Sequence, residues 1–291
     1  MSETVNVVDA NGDTVTTTRI KTVPVTTPFD PFCEFNKKRV RETLERAYAE
    51  QRVQPLAIKW RPDMRKWLRA FSCLFFNVKD VKATVKSAWN FVHALRDKSH
   101  QTMLYLYSDK SGGTGKTWLG EQLKWYFNSH VPGGKANTVT DIKDGFINPS
   151  DFNAHMVFLD DFNPNSVEIE TLNNLIDHHE MSYNIKFGPK GRFTNDAVIA
   201  ASSNYLPKNI NTRRWSVIEY NSWNVGYHIA QLDPEKVHQA VVDLIECCPL
   251  KLDFSKLESP DVSCLNYELL QYIIDNAMRI PSRIIDFVDG D

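Results

Sequence analysis

The sequence predicts an α/β fold, a mainly parallel central sheet flanked by helices and preceded by a small helical unit. Three observations predict it. Short apolar runs recur after residue 100, each followed by a loop and a stretch of helical period. One of these junctions carries three glycines in four residues, and the preceding 65 residues read as helix throughout. Alternation of strand and helix implies parallel strands covered on both faces.

Residues 1–35 are Thr/Val-rich and interrupted by "DANGD" and "TTPFDPF". Asn11-Gly12 between Val-containing stretches suggests a hairpin, and the prolines suggest an extended arm after it. Residues 36–100 hold three helical patterns, with Asn36 and Asp63 as helix starts. That block carries sixteen Lys/Arg against six Asp/Glu, whereas residues 205–291 carry eight against thirteen, so the net charge of −2 conceals a basic helical face suited to a polyanion. Residues 101–222 form the α/β core. Its strands are expected in "TMLYLY", "ANTVTDI", "HMVFLDD", "DAVIAASS" and "WSVIEY", and its helices over 117–129 and 166–180, the second containing His178-His179. Residues 223–291 close the chain with helical patterns near 234–246 and 265–278.

Five cysteines, with only Cys247 and Cys248 adjacent, fit neither a zinc nor a redox spacing and read as reduced structural thiols. No apolar run approaches a membrane span, and the first residues lack the basic and apolar parts of a secretory signal, so an intracellular setting is expected.

"SDKSGGTGKTW" (108–118) lies between a strand and a helix. In that context Ser111, Gly112, Gly113, Thr114 and Gly115 can turn successive backbone N–H groups toward an anion, Lys116 can reach the β- and γ-phosphates of a nucleotide, and Thr117 can ligate Mg²⁺. Lys110 stands where the phosphate-loop pattern has its first glycine, which concerns the rim of the loop more than its floor. Asp160 and Asp161 end an apolar strand. Asp160 can hold Mg²⁺ through water, and Asp161 can orient and polarise an attacking water. Asn204 ends another such strand and can sense the γ-phosphate or hold the water.

These three stations resemble the A, B and C motifs of superfamily-3 helicases, AAA+ P-loop ATPases of small viruses, plasmids and mobile elements. The stretch "YNIKFGPKGRFTNDAVIAASSNYLP" (183–207) resembles the segment before motif C in circular single-stranded DNA virus Rep proteins and picornavirus-like ATPases. The resemblance implies ATP and Mg²⁺ as cofactors, a homo-oligomeric and hexameric ring, and a basic hairpin gripping single-stranded nucleic acid, DNA in preference to RNA. That role falls to Lys186, Lys190 and Arg192, with Phe187 or Phe193 for packing or base contact. It also implies an arginine acting across a subunit interface, for which Arg213 and Arg214 are candidates, with Arg214 preferred. The helical block would serve as an oligomerising collar. Rep-like nuclease chemistry is not expected, because no His-hydrophobic-His pair occurs. The activity so implied is a replicative helicase or translocase working inside a bacterial or eukaryotic host cell. An ATPase that remodels or packages a protein–nucleic-acid assembly and a nucleotide-bound scaffold are the alternatives.

Overall fold

The computed structural model describes residues 2–8, 14–20, 38–43, 46, 53–109, 112–140, 142, 147–183, 190–206 and 213–252. Lys110, Ser111, Lys186, Phe187, Asn36 and the helical pattern near 265–278 lie outside them.

Strands β1 (Ser2–Val8) and β2 (Thr14–Ile20) pair antiparallel from Val8 opposite Thr14 to Ser2 opposite Ile20. Helix α1 (Met64–Leu74) starts where Asp63 accepts the Lys66 N–H, and α2 (Val81–Arg96) starts where Asp80 accepts the Ala83 N–H. Both are side-chain caps that satisfy an otherwise orphaned first-turn donor.

The core is a five-stranded, fully parallel sheet of β3 (Met103–Tyr107), β4 (Ala136–Val139), β5 (Met156–Leu159), β8 (Val198–Ser203) and β9 (Trp215–Glu219), in the order β4-β5-β8-β3-β9. An antiparallel hairpin, β6 (Glu180–Tyr183) with β7 (Gly191–Thr194), stands before β8. Each expected strand is present and shorter than the run that predicts it.

Strand period two separates the core into two layers. Leu104 and Leu106 of β3 join a cluster with Phe158, Ala200 and residues of α1, α2, α3 (Lys116–Trp125) and α6 (Pro234–Glu246). Met103 and Tyr105 face the other way, with Val157, Ile199, Trp215 and the Leu172, Leu175 and Ile176 side chains of α4 (Ile169–Ile176). Helix α3 lies directly on β5, since a Cβ at Gly120 would stand 2.1 Å from the Phe158 ring. Its last turn widens into a π-helical turn over Tyr126–His130. A short helix, α5 (Gly226–Ile229), precedes α6, which Asp233 and Pro234 start.

One local expectation is corrected. His178-His179 are not helical: α4 stops at Ile176, and His178 takes a left-handed φ of 56°. Asp177 is drawn into an ion pair with Arg214, and the His178 ring nitrogen Nδ1 bonds the Asn195 carbonyl at 2.7 Å. These tertiary bonds override a helical period that would otherwise continue.

Candidate functional site

Strand β3 feeds the glycine-rich loop into α3. Gly112, Gly113 and Gly115 have φ of 79°, 74° and 97°, a left-handed region open to glycine without strain. At Gly113 space is equally decisive, because a Cβ there would lie 2.7 Å from Asn224 Oδ1. The loop is braced by Asn77, from the turn between α1 and α2. Its buried Nδ2 donates to the Thr114 carbonyl at 2.9 Å and to the Asn221 carbonyl at 3.3 Å.

Lys116 opens α3 and is only 5% exposed. Its Nζ donates to Thr114 Oγ1 at 3.1 Å and to Asn204 Oδ1 at 3.0 Å. Burial pushes its pKa below that of an ordinary lysine, while Asp161, Asp109 and Asp160 pull the other way. A buried ammonium bonded to the Thr114 hydroxyl and the Asn204 carboxamide, at the end of a glycine-rich loop, suits an anionic ligand.

Strands β5 and β8 bring their carboxyl ends to the same edge. Thr117 Oγ1 donates to Asp160 Oδ1 at 2.9 Å, and Ser202 Oγ donates to the same oxygen at 2.7 Å. Ser202 also accepts the Asp161 N–H at 3.1 Å. Asp161 takes a left-handed φ of 49°, which turns its carboxylate out of the strand line, and it lines a cleft of about 630 Å³ together with the loop, Asn204, Tyr205 and Ile229. Asn204 is positioned by the turn that follows it. The Tyr205 carbonyl accepts the Tyr105 hydroxyl at 2.6 Å and the Ser203 hydroxyl at 3.1 Å, and Ser203 accepts the Tyr205 N–H at 2.9 Å. Burial pushes the Tyr105 phenol well above its ordinary pKa, so it remains a donor.

The structure therefore brings Gly112, Gly113, Thr114, Gly115, Lys116, Thr117, Asp160, Asp161 and Asn204 together at the carboxyl edge of the sheet, where open α/β sheets take their ligands. Other candidates lie at the amino edge. The Arg214 carbonyl accepts the Met103 N–H just before β9 begins, and its guanidinium clasps Asp177, with Nε 2.8 Å from each carboxylate oxygen. This partner holds the buried Asp177 carboxyl below the ordinary carboxylate range. Arg213 is exposed beside it. The β6–β7 hairpin also rises from this edge, joined to β8 through Asn195, whose side chain bonds Leu175 and Ala197. Lys190 is exposed, and Arg192 reaches Glu180 at 3.3 Å across the hairpin. Phe193 is 2% exposed and packs on Phe152 and Tyr183, so of its two expected roles packing is the one found.

Sequence reasoning missed Asn77, Ser202 and the Asn224–Ile229 segment. Ser202 is followed by another serine inside an apolar strand, so its alternation was legible but its partners, 41 and 42 residues away, were not. Asn77 and Asn224 carry no local signal.

Among the described residues no three His, Cys, Asp or Glu side chains gather as a metal cluster, and no helix is long and apolar enough to cross a membrane. Cys73, Cys247 and Cys248 are free and buried, and burial pushes the Cys73 and Cys248 thiols up to about 12.

No family model and no curated protein matches the chain. Two solved apo structures of the NrS-1 C-terminal region are similar at 20% identity, with TM-scores of 0.46 and 0.43 over 75% and 76% of this chain. The chain spans about half the length of those structures, 54% and 53%.

Proposed function

We propose that this chain is an ATP hydrolase of the superfamily-3 AAA+ kind, working as a ring-forming translocase or helicase on single-stranded nucleic acid during replication of a virus or mobile element. The observation that carries the reading is the pair of bonds Lys116–Asn204 and Thr117–Asp160, which join the ends of three strands around one cleft.

Lys116 and the backbone of Gly112–Gly115 bind and orient the triphosphate. The Thr117 hydroxyl and Asp160 carboxylate, 2.9 Å apart, are hard oxygen donors of the type Mg²⁺ takes, and they would hold it. Mg²⁺ bound there would offset phosphate charge. Asp161, turned into the cleft, orients the attacking water and accepts its proton, and Asn204 holds the terminal phosphoryl oxygen together with Lys116. Hydrolysis breaks the bond between the β- and γ-phosphates and releases ADP and phosphate. Arg214, the candidate the sequence prefers, is held by Asp177 and supports the amino edge, so the role on the nucleotide of a neighbouring copy passes to Arg213. The β6–β7 hairpin, with Lys186, Lys190 and Arg192, contacts the nucleic-acid backbone.

The test is strand separation on a forked duplex. Wild-type protein with Mg-ATP releases the labelled strand, and Asp161→Asn binds ATP without releasing it. Steady ATP turnover that single-stranded DNA and RNA leave unchanged, with every duplex intact, would refute the motor reading.

A further inference from the structure

The groups suited to the terminal phosphates all lie to one side of the loop. In the order β4-β5-β8-β3-β9, Asp160, Asp161 and Asn204 follow β5 and β8, whereas the loop follows β3. A triphosphate whose last phosphoryl faces those groups runs along the loop, and its nucleoside leaves on the β9 side. The chain after β9 lies there.

Residues 224–229 are fastened to the loop at three points. The Val225 N–H donates to the Gly113 carbonyl at 2.7 Å. The Asn224 carboxamide occupies the space beside Gly113, and its Oδ1 is fixed by the Gly226 N–H at 3.0 Å. Ile229 Cδ1 and Val225 Cγ2 each stand 3.6 Å from the position a Cβ would take at Gly115. Gly226 and Ile229 line the same cleft as Lys116 and Asn204.

We infer that residues 224–229 form the nucleoside wall of the site, with Ile229 as the side chain on which the base packs. This deepens the ATP-site reading and rests on it. The apolar Ile229 side chain holds a base by shape and contact area. Its discrimination between ATP and GTP stays below about a hundredfold, whereas a wall that hydrogen-bonds the base rejects a mismatched one by about 10⁴-fold. Since the wall is hydrogen-bonded to the loop backbone through Val225, nucleoside contact also bears on the segment that leads into α6.

The experiment compares ATP, GTP and inorganic tripolyphosphate binding to the full chain by calorimetry with Mg²⁺ present. Ile229→Asn, which adds polarity without charge, lowers ATP affinity by about tenfold or more while tripolyphosphate affinity moves by less than about twofold, and the milder Ile229→Ala shows the same split at about threefold. Retained tripolyphosphate binding reports that the loop is folded in both variants. ATP binding unchanged in both variants overturns the inference, as does equal loss of ATP and tripolyphosphate by Ile229→Ala melting at the wild-type temperature. ATP preferred over GTP by more than about a hundredfold overturns the apolar reading of the base. Wild-type protein that binds no ATP overturns the underlying ATP-site reading as well, so the two failures are distinguishable.

Discussion

Replacing Ser202 with alanine removes one oxygen atom from the centre of the site. Ser202 is fully buried and bridges two motifs, donating to Asp160 at 2.7 Å and accepting from the Asp161 N–H at 3.1 Å. Alanine keeps the β-carbon and leaves no methyl-sized void, so the fold persists. The bond to a carboxylate contributes about 1.5–3 kcal/mol, and the part-buried Asp161 N–H loses its partner at a smaller cost. Asp161 also holds a left-handed φ, a conformation that costs a non-glycine residue about 1–3 kcal/mol and persists because neighbours fix it. With Ser202 gone, Asp160 Oδ1 keeps the Thr117 hydroxyl but loses its second donor, and the backbone that turns Asp161 into the cleft loses its anchor, so about 1.4–2.8 kcal/mol of transition-state stabilisation is removed. That corresponds to a fall in kcat of about ten- to a hundredfold. The loop and Lys116 are untouched, so KM for ATP stays within about threefold. Phosphate release measured against ATP concentration checks both numbers, with circular dichroism melts reporting a loss of about 1–3 kcal/mol in stability. A kcat within about twofold of wild type would refute the argument that Ser202 aims the two carboxylates.

Three further outcomes follow from the same geometry. Gly113→Ala forces a Cβ to within 2.7 Å of Asn224 Oδ1 at a φ of 74°, and ATP affinity measured by calorimetry should fall by about tenfold or more. Asp177→Ala strands the Arg214 guanidinium, which is 23% exposed, so urea titration should show a loss of about 2–4 kcal/mol, less than for a fully enclosed pair. His93 and His178 are both held below 6.5, chiefly by burial. The folded chain keeps them neutral while the unfolded chain takes up protons first. Their contribution is thus complete above pH 6.5 and is lost as pH falls below it, so urea midpoints should drop between about pH 7.5 and about pH 5.5, with the drop reduced in His178→Gln.

The sheet and the residues at its carboxyl edge were legible because their signals are local. An apolar run ending in Asp160-Asp161 or in Asn204 names both a strand and the edge to which it delivers its last residue. The glycines of the loop declare a backbone that other residues cannot follow. Legibility ended where a residue acts through a distant partner. Ser202 reads as strand interior, and Asn77, between two helices, reads as a turn residue, yet its amide supports the Thr114 carbonyl 37 residues later. Helix α4 was overestimated for the same reason, since Asp177 is claimed by Arg214 and the helical period continues past the point where the backbone leaves it. The Asn224–Ile229 segment has neither strand alternation nor a full helical turn of apolar residues, and only its contacts with Gly113 and Gly115 reveal where it lies.

The most direct measurement of the central claim is calorimetric titration of Mg-ATP into wild type, Lys116→Ala and Asn204→Ala, read beside phosphate release. Wild type should bind ATP and turn it over. Lys116→Ala should lose about a hundredfold or more in affinity, and Asn204→Ala should bind ATP while its turnover falls at least about tenfold. Equal ATP affinity in wild type and Lys116→Ala would contradict the claim.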